Sequence, residues 1–457
     1  MLFSSTTFLF VFLPIVCIVY LLIAKNLRNY WLLLASLLFY AWGEPRYLAI
    51  MLLVILLNYL ATGMFEKFLS MKKHILVGCV VLNLSILIFF KYTNFIIENL
   101  NYIMPYKFSP LHVVMPIGIS FFIFQAISYT VDVYRGDVQC QKDIRKLALY
   151  VSLFPQLIAG PIVKYHDIEK NIDSRTVTME DIVYGVRRFI IGLAKKVLLA
   201  NTMGSLADKV YQTGPDGITM SIAWIGAVAY SLQIFFDFSG YSDMAIGIGR
   251  IFGFRFLENF NYPYIAISMS DFWHRWHISL SSWFKQYLYI PLGGNRINKV
   301  RTLVNLFVVF LATGIWHGAS WNFIAWGLWH GLFVILEKRF KSISFNGIIG
   351  HIYVVLVFVI GWVMFRADNL QVAKEYIGVM VGFKQSIAYF DLSYYVTNKH
   401  ILVGIIALLF CFPWNWENLK AKAVGEALYN ISLIMLLVLS IMSIASSTYN
   451  PFIYFRF

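Results

Sequence analysis

Hydrophobic residues come in blocks along this chain, and many blocks have the length a bilayer asks for. A membrane-crossing helix needs about 20 mostly apolar residues. Runs near 7–24, 47–64, 74–91, 112–131, 184–200, 220–238, 303–316, 320–337, 349–365 and 428–447 approach that length. Shorter runs lie near 30–42, 145–160 and 400–412. Short pieces are tolerated at membrane depth where protein or a cavity surrounds them, so these predict re-entrant or tilted segments. The pattern predicts an all-α polytopic integral membrane protein with roughly 11–13 transmembrane or re-entrant helices. It is read as one membrane domain over residues 1–457, with its core near 110–340 and C-terminal spans and tail at 349–457. The run from Thr7 to Ala24 has no basic residue before it and no clear cleavage site after it, so it reads as a retained first span.

Composition sharpens this picture. Hydrophobic residues make up 60% of the chain and charged residues 13%, against about 25% charged in soluble domains. A formal charge of +14 would point to nucleic acid in a soluble protein. Here Lys and Arg gather in short loops, where they set orientation, and a local excess can also attract an anionic substrate. Cys17, Cys79 and Cys411 lie in apolar runs and Cys140 in a loop, with no CxxC, which argues against a disulfide framework or structural zinc.

The loop charges orient the chain. Lys338, Arg339 and Lys341 mark one cytoplasmic loop, and Lys420 and Lys422 mark another two spans later. The last span then delivers the tail STYNPFIYFRF to the outside. One hairpin before Lys338 lies the region 250–301, where Arg250, Arg255, Arg275, Lys285, Arg296, Lys299 and Arg301 outweigh Glu258 and Asp271. It should face the cytoplasm too.

That region contains SMSDFWHRWHISLSSWFKQYLYIPLGGNR, Ser268 to Arg296. Trp273, Trp276, Leu280, Trp283, Phe284 and Tyr287 recur at helical spacing, while His274, His277, Ser281 and Lys285 fall on another face. This predicts an interfacial or re-entrant helix; an aromatic belt without chemistry would look the same. His274 and His277 form HxxH, but no carboxylate or thiolate obviously completes a metal site, and none is expected.

A second constellation is TGIWHGASWNFIAWGLWHG, Thr313 to Gly331. It carries His317 and His330, each in a Trp-His-Gly setting. An ionisable side chain inside a span is costly and is a functional candidate by default. Burial keeps imidazole neutral, and a neutral imidazole can take a proton from a hydroxyl. His330 reads instead as a hydrogen bond between helices. Asp237 and Asp243, at the end of an apolar run, read as structural carboxylates, capping a helix or pairing with Arg250 or Arg275.

Several stretches resemble the membrane-bound O-acyltransferase family: FPQLIAGPIVKY, FDFSGYSDMAIGIGRIFGF, ENFNYPY, SDFWHRWHISLSSWF, YLYIPLGGNR, GIWHGASWNFIAWGLWHG and NPFIYFRF. The likeness is strongest to the branch that acetylates alginate and peptidoglycan, and it runs from the first span to the last residue. It implies helices around a central funnel or tunnel, an acyl donor on the cytoplasmic side and an envelope polysaccharide acceptor outside. It assigns the histidine of the Trp-His-Gly motif, here His317, as catalytic, with His277 as a second polar residue. His274 stands where relatives carry arginine, and Gln286 where they often carry aspartate, so neither is given a role.

These readings together predict an O-acetyltransferase of the bacterial cytoplasmic membrane using acetyl-CoA or an acyl-carrier donor, with no bound cofactor. His317 is the expected base, with His277 and Trp316 orienting it or the thioester. Lys285, Arg296, Lys299 and Arg301 would meet the donor's phosphates, and Asn322 would polarise its carbonyl. The tail order Phe452-Ile453-Tyr454-Phe455 resembles a C-terminal acyl-carrying motif, making Tyr454 a candidate acyl acceptor; an aromatic membrane anchor is the plainer reading. The resemblance also implies an extracytoplasmic transferase partner of the SGNH type. A transporter or flippase for an envelope precursor is the rival class. It accounts for the spans but not for two aromatic-histidine motifs joined by a basic loop.

Overall fold

The computed structural model describes residues 1–158, 160–340, 347–414, 423–446 and 449–451. Lys341, Lys420, Lys422 and Tyr454 lie outside the described residues. All regular structure within them is helical. Among the described residues, six helices are long and apolar enough to cross a membrane: Leu48–Lys67, Leu69–Ile103, Met220–Ile251, Lys299–His317, Gly347–Arg366 and Val424–Ser446. The chain divides into two compact units, Met1–Phe189 with Ser242–Leu257, and Ile190–Tyr241 with Glu258–Phe457.

The first unit contains α1 (Leu13–Leu22), α2 (Arg28–Gly43), α3 (Leu48–Lys67), α4 (Lys72–Ile103), α5 (Ile119–Arg135), α6 (Ile144–Ser152), α7 (Phe154–Leu157), α8 (Tyr165–Asp173) and most of α9 (Met179–Ala194). The apolar run at 145–160 is α6 and α7, parted at Leu153, because Pro155 suits the first turn of a helix and not its interior. Phe8, Phe39, Phe154 and Phe252 form an aromatic core, with successive rings 5.9, 5.5 and 5.9 Å apart. Buried amides and hydroxyls tie α3, α4 and α5 together. The Asn58 side-chain oxygen accepts from Thr130 Oγ1 at 2.6 Å and from Asn83 Nδ2 at 3.3 Å, the kind of cross-helix bond that polar side chains make in an apolar surround.

The second unit holds α10 (Asn201–Thr213), the first two-thirds of α11 (Met220–Ile251), α12 (Met269–Arg275), α13 (Ile278–Phe284), α14 (Lys299–His317), α15 (Trp321–Arg339), α16 (Gly347–Arg366), α17 (Leu370–Met380), α18 (Leu392–Tyr395), α19 (Asn398–Phe410) and α20 (Ala423–Ser446). Its core is aromatic, with Trp276, Trp326, Trp362, Phe272 and Tyr264 buried together. α14 and α15 pack backbone to backbone. A Cβ on Gly327 would lie 2.5 Å from the Phe310 carbonyl oxygen and 2.9 Å from Gly314 Cα, so glycine is what permits the approach.

Two expectations change. The span at 220–238 continues as helix to Ile251, through Asp237 and Asp243, because each carboxylate meets a cation. Asp237 pairs with Lys196 at 2.9 Å and Asp243 with Arg188 at 2.6 Å. Arg250 and Arg275, the partners expected from sequence, bind Asp181 and Asp271 instead. The stretch from Ser268 is also not one continuous helix: it breaks at Trp276 and His277, between α12 and α13. Among the described residues, three turns, Phe8–Phe12, Lys195–Ala200 and Lys285–Tyr289, are π-helical, each a local widening of the kind often found at functional sites.

Candidate active site

His317 ends α14, and the backbone leaves the helix at Gly318, where a Cβ would strike the Phe323 ring. Its imidazole is 7% exposed and meets Trp326, Trp316 and Phe365 edge-on, with ring centres 4.8, 4.9 and 5.2 Å away. Trp316 also meets His277, at 6.1 Å. The indole thus stands between the two histidines that the sequence singled out.

His277 occupies the break between α12 and α13 with φ +44°, a left-handed conformation uncommon outside glycine. The break is held from a distance in sequence. Ile278 N–H donates to the Asn259 carbonyl at 3.0 Å. The Asn259 side-chain oxygen accepts from Ser279 Oγ at 2.8 Å, from Ser279 N–H at 3.2 Å, and from His277 Nδ1 at 3.2 Å. That acceptor fixes His277 as the Nδ1–H tautomer and leaves Nε2 with its lone pair. Nε2 is buried and has no hydrogen-bond partner among the described residues. Burial pushes the imidazole pKa down to about 3, so the ring is neutral. Phe238 packs edge-on at 4.6 Å and completes the pocket. α12 is itself fastened by Glu337 of α15, whose carboxylate accepts from Met269 N–H at 2.6 Å and Ser270 N–H at 2.9 Å.

The basic residues named from sequence are exposed. Lys285 opens the third π-helical turn. Asn305 Nδ2 donates to the Leu292 and Gly294 carbonyls at 3.2 and 2.9 Å, pinning the loop that carries Arg296 to α14. Arg301 Nε donates to the Leu292 carbonyl at 3.3 Å. Asn322 is buried, and its amide N–H groups go to the Met364 and Ala367 carbonyls at 3.3 and 2.8 Å. Its donors are spent on the end of α16. His330 also departs from expectation: it is fully buried, and neither ring nitrogen has a hydrogen-bond partner among the described residues. It packs as a ring against Trp326 and Trp273, at 5.1 and 5.4 Å. Exposed His274 bonds through Nδ1 to the Ser270 carbonyl at 2.6 Å.

The chain preceding Tyr454 is held inside the second unit. Lys196 is 1% exposed; its ammonium forms an ion pair with Asp237 and donates to Asn201 Oδ1 at 3.0 Å and to the Pro451 carbonyl. An ion pair and two hydrogen bonds together compensate the buried ammonium. Tyr449 OH donates to Asp208 at 2.6 Å, and Asp208 pairs with Arg366 at 2.6 Å.

Comparison with known proteins identifies the scaffold. Residues 141–346 match the membrane-bound O-acyltransferase family. The chain is 45% identical over 397 residues to the probable alginate O-acetylase AlgI of Pseudomonas syringae pv. tomato, covering 84% of this chain and 76% of that one. It is 39% identical to the protein of the same name from Pseudomonas putida over the full length of both. The chain belongs to the membrane-bound O-acyltransferase family. The peptidoglycan O-acetyltransferase of Helicobacter pylori is 34% identical, across 100% of this chain and 98% of its own. Membership makes this O-acyltransferase an enzyme and decides against the transporter reading. Two residues that sequence reasoning passed over stand out in it. Asn259 lies in the quoted ENFNYPY stretch, which could have flagged it. Lys196 carried no signal beyond a charge at the end of an apolar run.

Proposed function

We propose that this acyltransferase takes acetyl from acetyl-CoA, or from an acyl-carrier thioester, on the cytoplasmic side and passes it outward for O-acetylation of an envelope polysaccharide. Alginate, peptidoglycan and other exopolysaccharides are the acceptor candidates. The observation that carries this reading is the pair of buried histidines around Trp316, one of them fixed neutral with a free lone pair.

A thioester is already activated, so the protein must position an acceptor hydroxyl, remove its proton and exclude water. His317 takes the hydroxyl proton as the oxygen attacks the thioester carbonyl. The C–S bond breaks, the thiolate leaves with that proton, and an oxygen ester remains. His277 Nε2 accepts a hydrogen bond that orients the hydroxyl or the base. Lys285, Arg296, Lys299 and Arg301 supply the exposed charge for the donor's phosphates.

Tyr454 is the proposed first acceptor, and the held tail supports it. Pro451 is tied through Lys196 to Asp237, and the next residue of α11, Phe238, packs on His277. Tyr454 lies three residues beyond Pro451 in the sequence, a reach of at most about 10 Å. Phenolate leaves more easily than a sugar alkoxide, since its pKa is near 10, so a tyrosyl ester is a competent donor to the sugar or to an SGNH-type partner outside. The resulting localisation is the bacterial inner membrane with the C-terminus outside.

The test is incubation of purified protein with labelled acetyl-CoA, followed by mapping of the C-terminal peptide. Acetyl on Tyr454, lost in His317→Ala, is the expected result. Label on the tail that is unaffected by His317→Ala removes His317 from the mechanism. An unlabelled tail with full activity in Tyr454→Phe returns the tail to a membrane anchor.

A further inference from the structure

The first unit contains a polar cavity of about 220 Å³ that the transfer chemistry does not use, lined by Asn171, Ser174, Arg175, Thr176, Asp181, Arg250, Gly253 and Arg255. Three guanidiniums face one carboxylate there. We propose that this cavity binds a phosphate ester anion.

Arg175 is the centre of the argument. Nε donates to Tyr20 OH at 3.0 Å and to the Phe252 carbonyl at 2.8 Å, and Nη1 donates to Asn29 Oδ1 at 2.6 Å and to the Asn171 carbonyl at 3.1 Å. Its plane lies 4.5 Å over the Phe254 ring. These partners are all neutral. Nη2 is buried and has no hydrogen-bond partner among the described residues. A half-buried guanidinium fixed in place by neutral groups, with its Nη2 edge unused, is arranged for an anion supplied from outside the chain.

The surroundings are built to match. Gly253 sits at φ +81°, and a Cβ there would come within 3.1 Å of both Arg175 Cδ and Val177. Asp181 is already committed: it accepts from Thr178 N–H and Oγ1 at 3.1 and 2.9 Å and pairs with Arg250 at 2.6 Å. It positions Arg250 without cancelling the other two charges. Arg255 is 3.9 Å from Asp181 and 69% exposed, a mobile-length arm at the cavity's edge. Arg fits phosphate through its planar fork of donors. The volume far exceeds the roughly 30 Å³ that one water takes in the liquid.

The ligand chemistry has two sources, a soluble nucleotide phosphate such as that of CoA and the headgroup of an anionic phospholipid. Phenylglyoxal labelling of Arg255 in the purified full chain, read by peptide mass spectrometry, separates them. CoA and phosphatidylglycerol are the two probes, with phosphatidylcholine as the control. Several-fold protection by CoA assigns a nucleotide phosphate, and protection by phosphatidylglycerol but not phosphatidylcholine assigns a lipid headgroup. Native mass spectrometry should then show about tenfold weaker retention of the protecting probe in Arg255→Gln, a surface change that leaves the fold intact, and in Arg175→Lys, which keeps the charge but loses the fork. Absence of protection by both probes, or equal retention in both variants, overturns the proposal.

Discussion

Replacing Lys196 by methionine tests how the tail is held. The change keeps an unbranched side chain one atom shorter and removes its charge. Lys196 and Asp237 are each 1% exposed and 2.9 Å apart, and removing one partner of a buried pair typically costs about 3–5 kcal/mol, because the remaining charge loses its counterion. Asn201 Oδ1 and the Pro451 carbonyl lose a donor as well. We expect Lys196→Met to destabilise the protein by about 3–5 kcal/mol, read as a shift in unfolding midpoint in mixed micelles followed by tryptophan fluorescence. Lys196→Met with Asp237→Leu should recover most of that loss, since a packed apolar pair can replace a buried ion pair at little cost. The double variant still lacks the donor that holds Pro451, so its acyltransferase activity should stay low while its stability returns. A loss below about 1 kcal/mol in Lys196→Met would refute the burial argument. Restored activity in the double variant would refute the link between this lysine and the tail.

Four further outcomes follow from the geometry. His317→Ala should insert normally and lose about 10²–10⁴ in kcat, the usual worth of proton-transfer catalysis. His277→Ala should lose less, and the double variant should be no worse than His317→Ala, since residues acting as one unit are non-additive; multiplied defects would mean independent roles. Neutral His277, with its pKa lowered to about 3 from an unfolded value near 6.5, stabilises the fold fully above pH 6.5; stability should fall by up to about 2 kcal/mol from pH 6.5 to 5, and His277→Asn should flatten that part of the curve. Gly327→Ala sets a Cβ against backbone on α14 and should cost about 1–3 kcal/mol together with activity, because His317 ends that helix; an active, equally stable variant would show that the hairpin can open without moving the imidazole.

Much of the fold was legible because lipid imposes a simple length and polarity rule. The helices α3 and α16 coincide with apolar runs, and α4 and α11 start with theirs and continue past them. What the rule missed is tertiary. Asp237 and Asp243 looked like the end of a span, since nothing local reveals that Lys196 and Arg188 wait across the packing to neutralise them. The break at His277 escaped notice for a similar reason. Trp273, Trp276 and Leu280 keep helical spacing on both sides of it, while the groups that stabilise it belong to Asn259, 18 residues away. At the candidate site, His317, His277 and Trp316 were legible as a group through the family resemblance, and the packing of both imidazoles against that one indole was not. Asn322 looked like a free amide in a catalytic motif, but the carbonyls that occupy it lie more than 40 residues downstream.

The π-helical turn at Lys195–Ala200 carries one more implication, and it concerns counting. Such a turn is an α-helix with one residue too many, and each residue of an α-helix advances the direction of the side chains by about 100°. Within the second unit, the surplus residue sets the angular phase between Leu193 before it, which is buried, and everything after it, including the Asn201 and Asp208 that grip the tail. Deleting any single residue of this turn would leave those named side chains in the sequence yet rotate one set away from its partners. Evolutionary gaps should therefore avoid residues 195–200 even where the letters themselves vary. The feature being inherited there is a number of residues, and a gap-scanning library across α9 and α10 would read it directly.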